Sequence, residues 1–140
     1  MPNFVDVLIE ECKKKVERHT GEICTTDAAW RELDRVFKKS EILRQNKCKI
    51  LKGYEKSRKY RISRNSAIAL GIALEFQIFE MNSFLSKAGY ALSDYHEEDI
   101  LIINIMSTEK YTVSDVNEAL QESGYAALTY RMSNEDLPKV

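Results

Sequence analysis

Lysine and arginine crowd one stretch of this chain, and the chemistry that such crowding supports is phosphate binding. Between Lys38 and Arg64 stand eleven Lys/Arg against two acids, Glu41 and Glu55. From Asn65 onward the balance reverses to four Lys/Arg against twelve Asp/Glu, and the first 37 residues hold six against eight. The formal net charge of −1 therefore conceals a strongly segregated distribution. A basic cluster concentrates positive potential where a polyanion docks. Lysine and arginine contacts to duplex phosphates gain free energy by releasing counterions.

The spacing inside this stretch adds a direction. At about 100° per residue, Gln45, Lys49, Lys52 and Lys56 share one side of a helix, and Leu43, Ile50, Leu51 and Tyr54 share the other. A basic stripe backed by an apolar stripe suits a helix lying in a major groove. Gln45 and Asn46 are candidates to read adenine through paired hydrogen bonds, and Lys49 and Lys52 to read guanine or line the groove. Lys56, Arg58, Lys59, Arg61 and Arg64 suit phosphates. Arg44 completes the expected nucleic-acid-binding set.

Other chemistry finds little support. The five glycines are scattered at Gly21, Gly53, Gly71, Gly89 and Gly124, so no Gly-rich phosphate loop exists. His19 and His96 are the only histidines. His96-Glu97-Glu98-Asp99 has the residue types of an acid/base or metal cluster. A helical turn spreads these side chains around the axis, and a solvated, acid-rich helix start explains them. Cys12, Cys24 and Cys48 form no C-x-x-C pair, and with His19 they match no common zinc spacing. Free thiols in a reducing compartment are the expectation. Neither an enzyme nor a cofactor-binding protein is expected.

The elements that must position the basic stretch are helices. Only five Gly and two Pro occur in 140 residues, too few breakers for a β-rich fold. Phe4, Leu8, Cys12 and Val16 mark a first helix, with Asn3 as its cap and Gly21 as its stop. Thr25-Thr26-Asp27 opens a second, carrying Ala29, Trp30, Leu33, Val36 and Phe37 inward. Ser40 is expected to cap the basic segment, which reads as one helix or two short ones. Residues 57–62 read as a loop. Ser63 caps a helix that is apolar all round from Ala67 to Leu74, the expected centre of the core. Ile78, Met81, Leu85 and Ala88 form the next, stopped by Gly89. Ser93 is expected to cap a helix with Leu101, Ile102, Ile105 and Met106 inward. Thr112 and Asp115 form a capping box for the last, which ends at Gly124. The expected organisation is one all-α domain of six to seven helices over residues 1–125, with a loosely held tail at 126–140. No apolar run reaches the roughly 18 to 20 residues of a membrane span. Positive charges follow rather than precede the first apolar stretch, the wrong order for a secretory signal. A cytoplasmic location is expected.

From Tyr60 to Ser93 the chain also resembles a known group. The residues that carry this are the basic Ser63-Arg64 helix start, the Ala/Leu-rich stretch Ala67-Ile68-Ala69-Leu70-Gly71-Ile72-Ala73-Leu74, and above all Ala88-Gly89-Tyr90-Ala91-Leu92-Ser93. They are similar to a bacterial subgroup of XRE-type (λ-repressor-like) helix-turn-helix proteins with extra C-terminal helices. Val116-Asn117-Glu118-Ala119-Leu120 fits those extra helices. The resemblance spans roughly half of the chain. It implies a helix-turn-helix core, a recognition helix near Lys47 to Lys56, and a bacterial transcriptional regulator that binds DNA. Members of the group also sit in multidomain signalling and defence proteins. The competing expectation is therefore a helical protein-interaction adaptor, self-associating through basic and acidic faces.

Overall fold

The structure, a computed structural model, describes residues 4–56 and 62–129, with side chains outside 53–56. It is all-α. The described residues form α1 (Phe4–Thr20), α2 (Thr26–Lys39), α3 (Arg44–Lys56), α4 (Arg64–Ala73), α5 (Ile78–Lys87), α6 (Glu97–Met106) and α7 (Val113–Glu122), and contain no strand. None of these helices is long and apolar enough to cross a membrane.

Three helix starts follow directly from local side-chain chemistry. Thr25 accepts a hydrogen bond from the Ala28 amide, and Ser63 accepts one from Ser66. Thr112 and Asp115 cap reciprocally at the start of α7. Each arrangement satisfies amides that a helix N-terminus leaves without intrahelical partners. α1 ends where Gly21 adopts φ 74°, a left-handed geometry that costs glycine little.

α4 is the centre. Every residue from Ser66 to Ala73 is buried, and α2, α5 and α7 pack around it. A Cβ at Gly71 would overlap the flexible end of the Met81 side chain, so the glycine leaves space in which that thioether packs on α4. α1 packs on α2 and α3, and α6 on α7.

Four expectations are corrected. Ser40 closes α2 rather than opening α3, because its hydroxyl donates to Phe37 O at 2.6 Å and the next residue, Glu41, turns the chain at φ 58°. The basic segment is accordingly a single helix beginning at Arg44. Ser93 does not cap α6. Its amide donates to Asp99 Oδ2 at 2.8 Å, and α6 starts four residues later with His96 in the cap position. Trp30 is 38% exposed, on the rim of α2 instead of inside it. The segment after Tyr125 is not loose over its described part: Leu128 and Thr129 are buried. Residues 130–140, the proposed cap Asn3, and residues 57–61 of the expected loop at 57–62 lie outside the described residues.

Candidate nucleic-acid interface

α3 carries the candidate surface, and its placement follows from its two faces. Ile50 is buried against the core, with Leu43 and Leu51 half-buried beside it. Arg44, Gln45, Lys49 and Lys52 are exposed on the outside. The basic stripe thus lies opposite the apolar one, as the helical spacing requires. Asn46 is half-buried and lines a cleft of about 450 Å³ between α3, the first turn of α4 and residues 127–129. Lys47 turns inward: its Nζ pairs with Asp34 Oδ1 at 3.0 Å and sits 5.5 Å from the Phe37 ring centroid, tying α3 to α2. The side chain of Lys56 and all of Arg58, Lys59 and Arg61 lie outside the described residues.

Arg64 is not available to a phosphate in the way its sequence position suggests. Its Nη2 pairs with the buried Asp99 carboxylate and also donates to Ala91 O at 2.8 Å. That guanidinium braces the start of α4 against the loop before α6. Asp99 is correspondingly not a solvated helix-start acid: it is the buried acceptor for both Arg64 and the Ser93 amide. Glu97 and Glu98 remain exposed, and Glu97 accepts from the Tyr125 hydroxyl at 2.7 Å, which raises that phenol above its ordinary value.

Two polar arrangements escaped the sequence. The first is a buried ion pair between α1 and α2, where Lys15 Nζ meets Glu32 Oε1 at 2.9 Å and Arg35 holds Glu32 Oε2 at 2.8 Å. Burial alone would raise the Glu32 carboxyl, but the hydrogen bonds from Lys15 and Arg35 outweigh it and hold the group below its ordinary value. The neighbouring Cys12 thiol is pushed up to about 12, chiefly by burial and then by the Glu32 charge, so it is inert as a nucleophile. Cys24 is also buried, and Cys48 is exposed. Among the described residues no group of three or more His, Cys, Asp or Glu side chains is placed to hold a metal ion.

The second arrangement surrounds the corner at residues 40–43 that delivers the chain into α3. Asn117 of α7 accepts from the Leu128 and Thr129 amides (2.8 and 3.3 Å). Its Nδ2 donates to Glu41 Oε2 (3.2 Å) and Thr129 Oγ1 (3.1 Å). Thr129 Oγ1 in turn donates to Ser40 O at 2.6 Å. The only signal in the sequence was an asparagine beside Val116 in an otherwise apolar stripe.

No protein-family model matches this chain, and no curated protein and no solved structure matches it either.

Proposed function

We propose that this chain is a non-catalytic DNA-binding domain of the helix-turn-helix kind, a bacterial transcriptional regulator that lays α3 along a duplex. The observation that carries this reading is the outward face of α3, where Arg44, Gln45, Lys49 and Lys52 stand exposed over a helix whose other side is anchored by Ile50. The four-residue corner between α2 and α3 has the length of the turn in that motif. Gln45 offers the bidentate chemistry that suits adenine, and the cations suit guanine and phosphate.

The test is fluorescence anisotropy with a duplex from the gene's own upstream region and a scrambled duplex, across a salt series. Tight, sequence-dependent binding that weakens steeply with salt is expected. Replacing Arg44, Lys49 and Lys52 together by alanine should weaken it roughly tenfold or more, and flatten the log–log salt slope by about 0.9 for each phosphate no longer neutralised. Unchanged binding by this triple variant would remove α3 from the interface.

A second reading, a helical protein-interaction adaptor, is favoured by Phe79 and Tyr95, which are 70% and 94% exposed. Tyr95 lies in the acidic lip formed by Glu97 and Glu98, whose charge complements α3 of a second copy. Concentration-dependent assembly in light scattering without DNA, abolished by the same triple substitution, would move this reading ahead.

A further inference from the structure

α3 is weakly held for a helix assigned so much. Among its described side chains only Ile50 is buried, and Lys47 is its one inward-turned cation. Its pose therefore depends on the corner that precedes it. That corner is polar: Ser40 is fully buried, and its carbonyl lies just past the end of α2, where no intrahelical amide reaches it. The group that satisfies it is Thr129, 89 residues away in the chain. Asn117 holds Thr129 in place and reaches Glu41 directly, using both lone-pair directions of its carbonyl oxygen and both amide protons. A buried network satisfied this fully specifies one arrangement, since any displaced member strands a desolvated partner.

We propose that Asn117 is a positioning residue: through it the segment 126–129 clasps the α2–α3 corner, and docking of that segment regulates how α3 is presented to DNA. The second half rests on the reading of α3 as the DNA-contacting helix. The first half does not. Undocking the segment takes the Thr129 hydroxyl from Ser40 O and strips Asn117, which holds Glu41, of its bonds to Leu128 and Thr129; this frees the corner to tilt α3. A factor that engages the chain beyond residue 129 could thus act on α3 without touching it.

Two shape-preserving variants test this. Asn117→Asp removes both donors and sets a carboxylate against Glu41. Thr129→Val, the milder change, removes only the hydroxyl. Native-state hydrogen exchange reads the amides of Leu128 and Thr129 on the segment, those of Glu41, Asn46 and Lys47 at the corner, and that of Glu75 at the distant α4–α5 corner. Exchange should accelerate roughly tenfold at the first two groups, the equivalent of one lost buried hydrogen bond, and stay unchanged at Glu75. Acceleration confined to Leu128 and Thr129 would overturn the coupling. Uniform acceleration in Thr129→Val would reduce the network to global stability and overturn it as well. In the duplex assay the same variants should bind several-fold more weakly at an unchanged salt slope, because every cation of α3 remains. Unchanged affinity beside a loosened corner would overturn the regulatory half. A wild-type chain that binds no duplex would sink the DNA reading, while the exchange rates would still decide whether the clasp exists.

Discussion

Two corners in this molecule look alike in the backbone and are held by opposite means. Residues 40–43 join α2 to α3, and residues 74–77 join α4 to α5. Each places a glutamate in the left-handed region, Glu41 at φ 58° and Glu75 at φ 65°. The α4–α5 corner is closed by apolar burial. Leu74 and Phe76 are in the core, Phe76 packs edge-on against Phe84 at 5.1 Å, and the Tyr111 hydroxyl caps Phe76 O at 2.9 Å. The α2–α3 corner is closed by a polar network drawn from α7 and residues 128–129. Apolar closure is strong and indifferent to partners. Polar closure contributes only about 0.5–1.5 kcal/mol net per hydrogen bond, but it selects one geometry. The helix with the exposed basic face follows the corner of the second kind.

The largest effect should come from breaking the apolar corner. Phe76→Ala removes a buried ring and is expected to cost about 3–5 kcal/mol in denaturant unfolding. The backbone hydrogen bonds of Phe76 run to Gly71 and Tyr111 rather than to the Asn117 network. Duplex binding by the surviving folded fraction should therefore keep its wild-type affinity. A several-fold loss of affinity would mean that the two corners communicate, and the contrast between them would fall.

What the sequence revealed follows the same division. Helix starts governed by residues three positions apart were legible: Thr25 with Ala28, Ser63 with Ser66, Thr112 with Asp115. The apolar α4 and the two-faced α3 were legible because periodicity alone decides which side is buried. Ser40 closes α2 through a bond to Phe37 O and a left-handed Glu41, a backbone choice that residue type alone does not distinguish from a cap on the next helix, and Ser93 is fixed from farther along the chain by Asp99. Arg64 joined the expected phosphate set for the same reason, its partner Asp99 lying 35 residues away. Nothing in the sequence marks Lys15, one of three successive lysines, as the one that a facing acid on α2 buries. A one-dimensional pattern separates inward from outward. It cannot pair two polar groups across the fold.

A second, intermediate effect comes from acid, which should attack the α2 side before the α4–α5 side. The Glu32 carboxyl is held below its ordinary value of 4.5 by Lys15 and Arg35. A depressed folded-state value means that its stabilisation is present above about pH 4.5 and is lost as pH falls through the folded value. Protonation then leaves Lys15 buried without its counterion, which is costly. On acidification below about pH 4.5, amides of α1 and α2 should lose exchange protection ahead of those around Phe76, and the denaturant midpoint should drop. Glu32→Gln should start less stable at neutral pH and show a flatter acid limb. Simultaneous loss of protection in both regions would place the acid-sensitive group elsewhere.

The smallest effect discriminates most finely, because it makes the same substitution at both corners. A left-handed non-glycine residue carries strain of about 1–2 kcal/mol, part of which glycine gives back through the flexibility of its unfolded chain. Glu75→Gly should therefore stabilise the protein by about 0.5–1 kcal/mol, since the contact it forfeits is a solvent-exposed one to His19 Nε2 at 3.4 Å. Glu41→Gly relieves the same strain but also deletes the acceptor for Asn117 Nδ2, a part-buried hydrogen bond. The two contributions are of similar size, so no net gain is expected there. Parallel urea titrations of the two variants measure the difference directly. A gain at Glu75 alone assigns Glu41 to the clasp. Equal gains at both would show that the Glu41–Asn117 bond holds nothing, and that the α2–α3 corner rests on Thr129 and Ser40 by themselves.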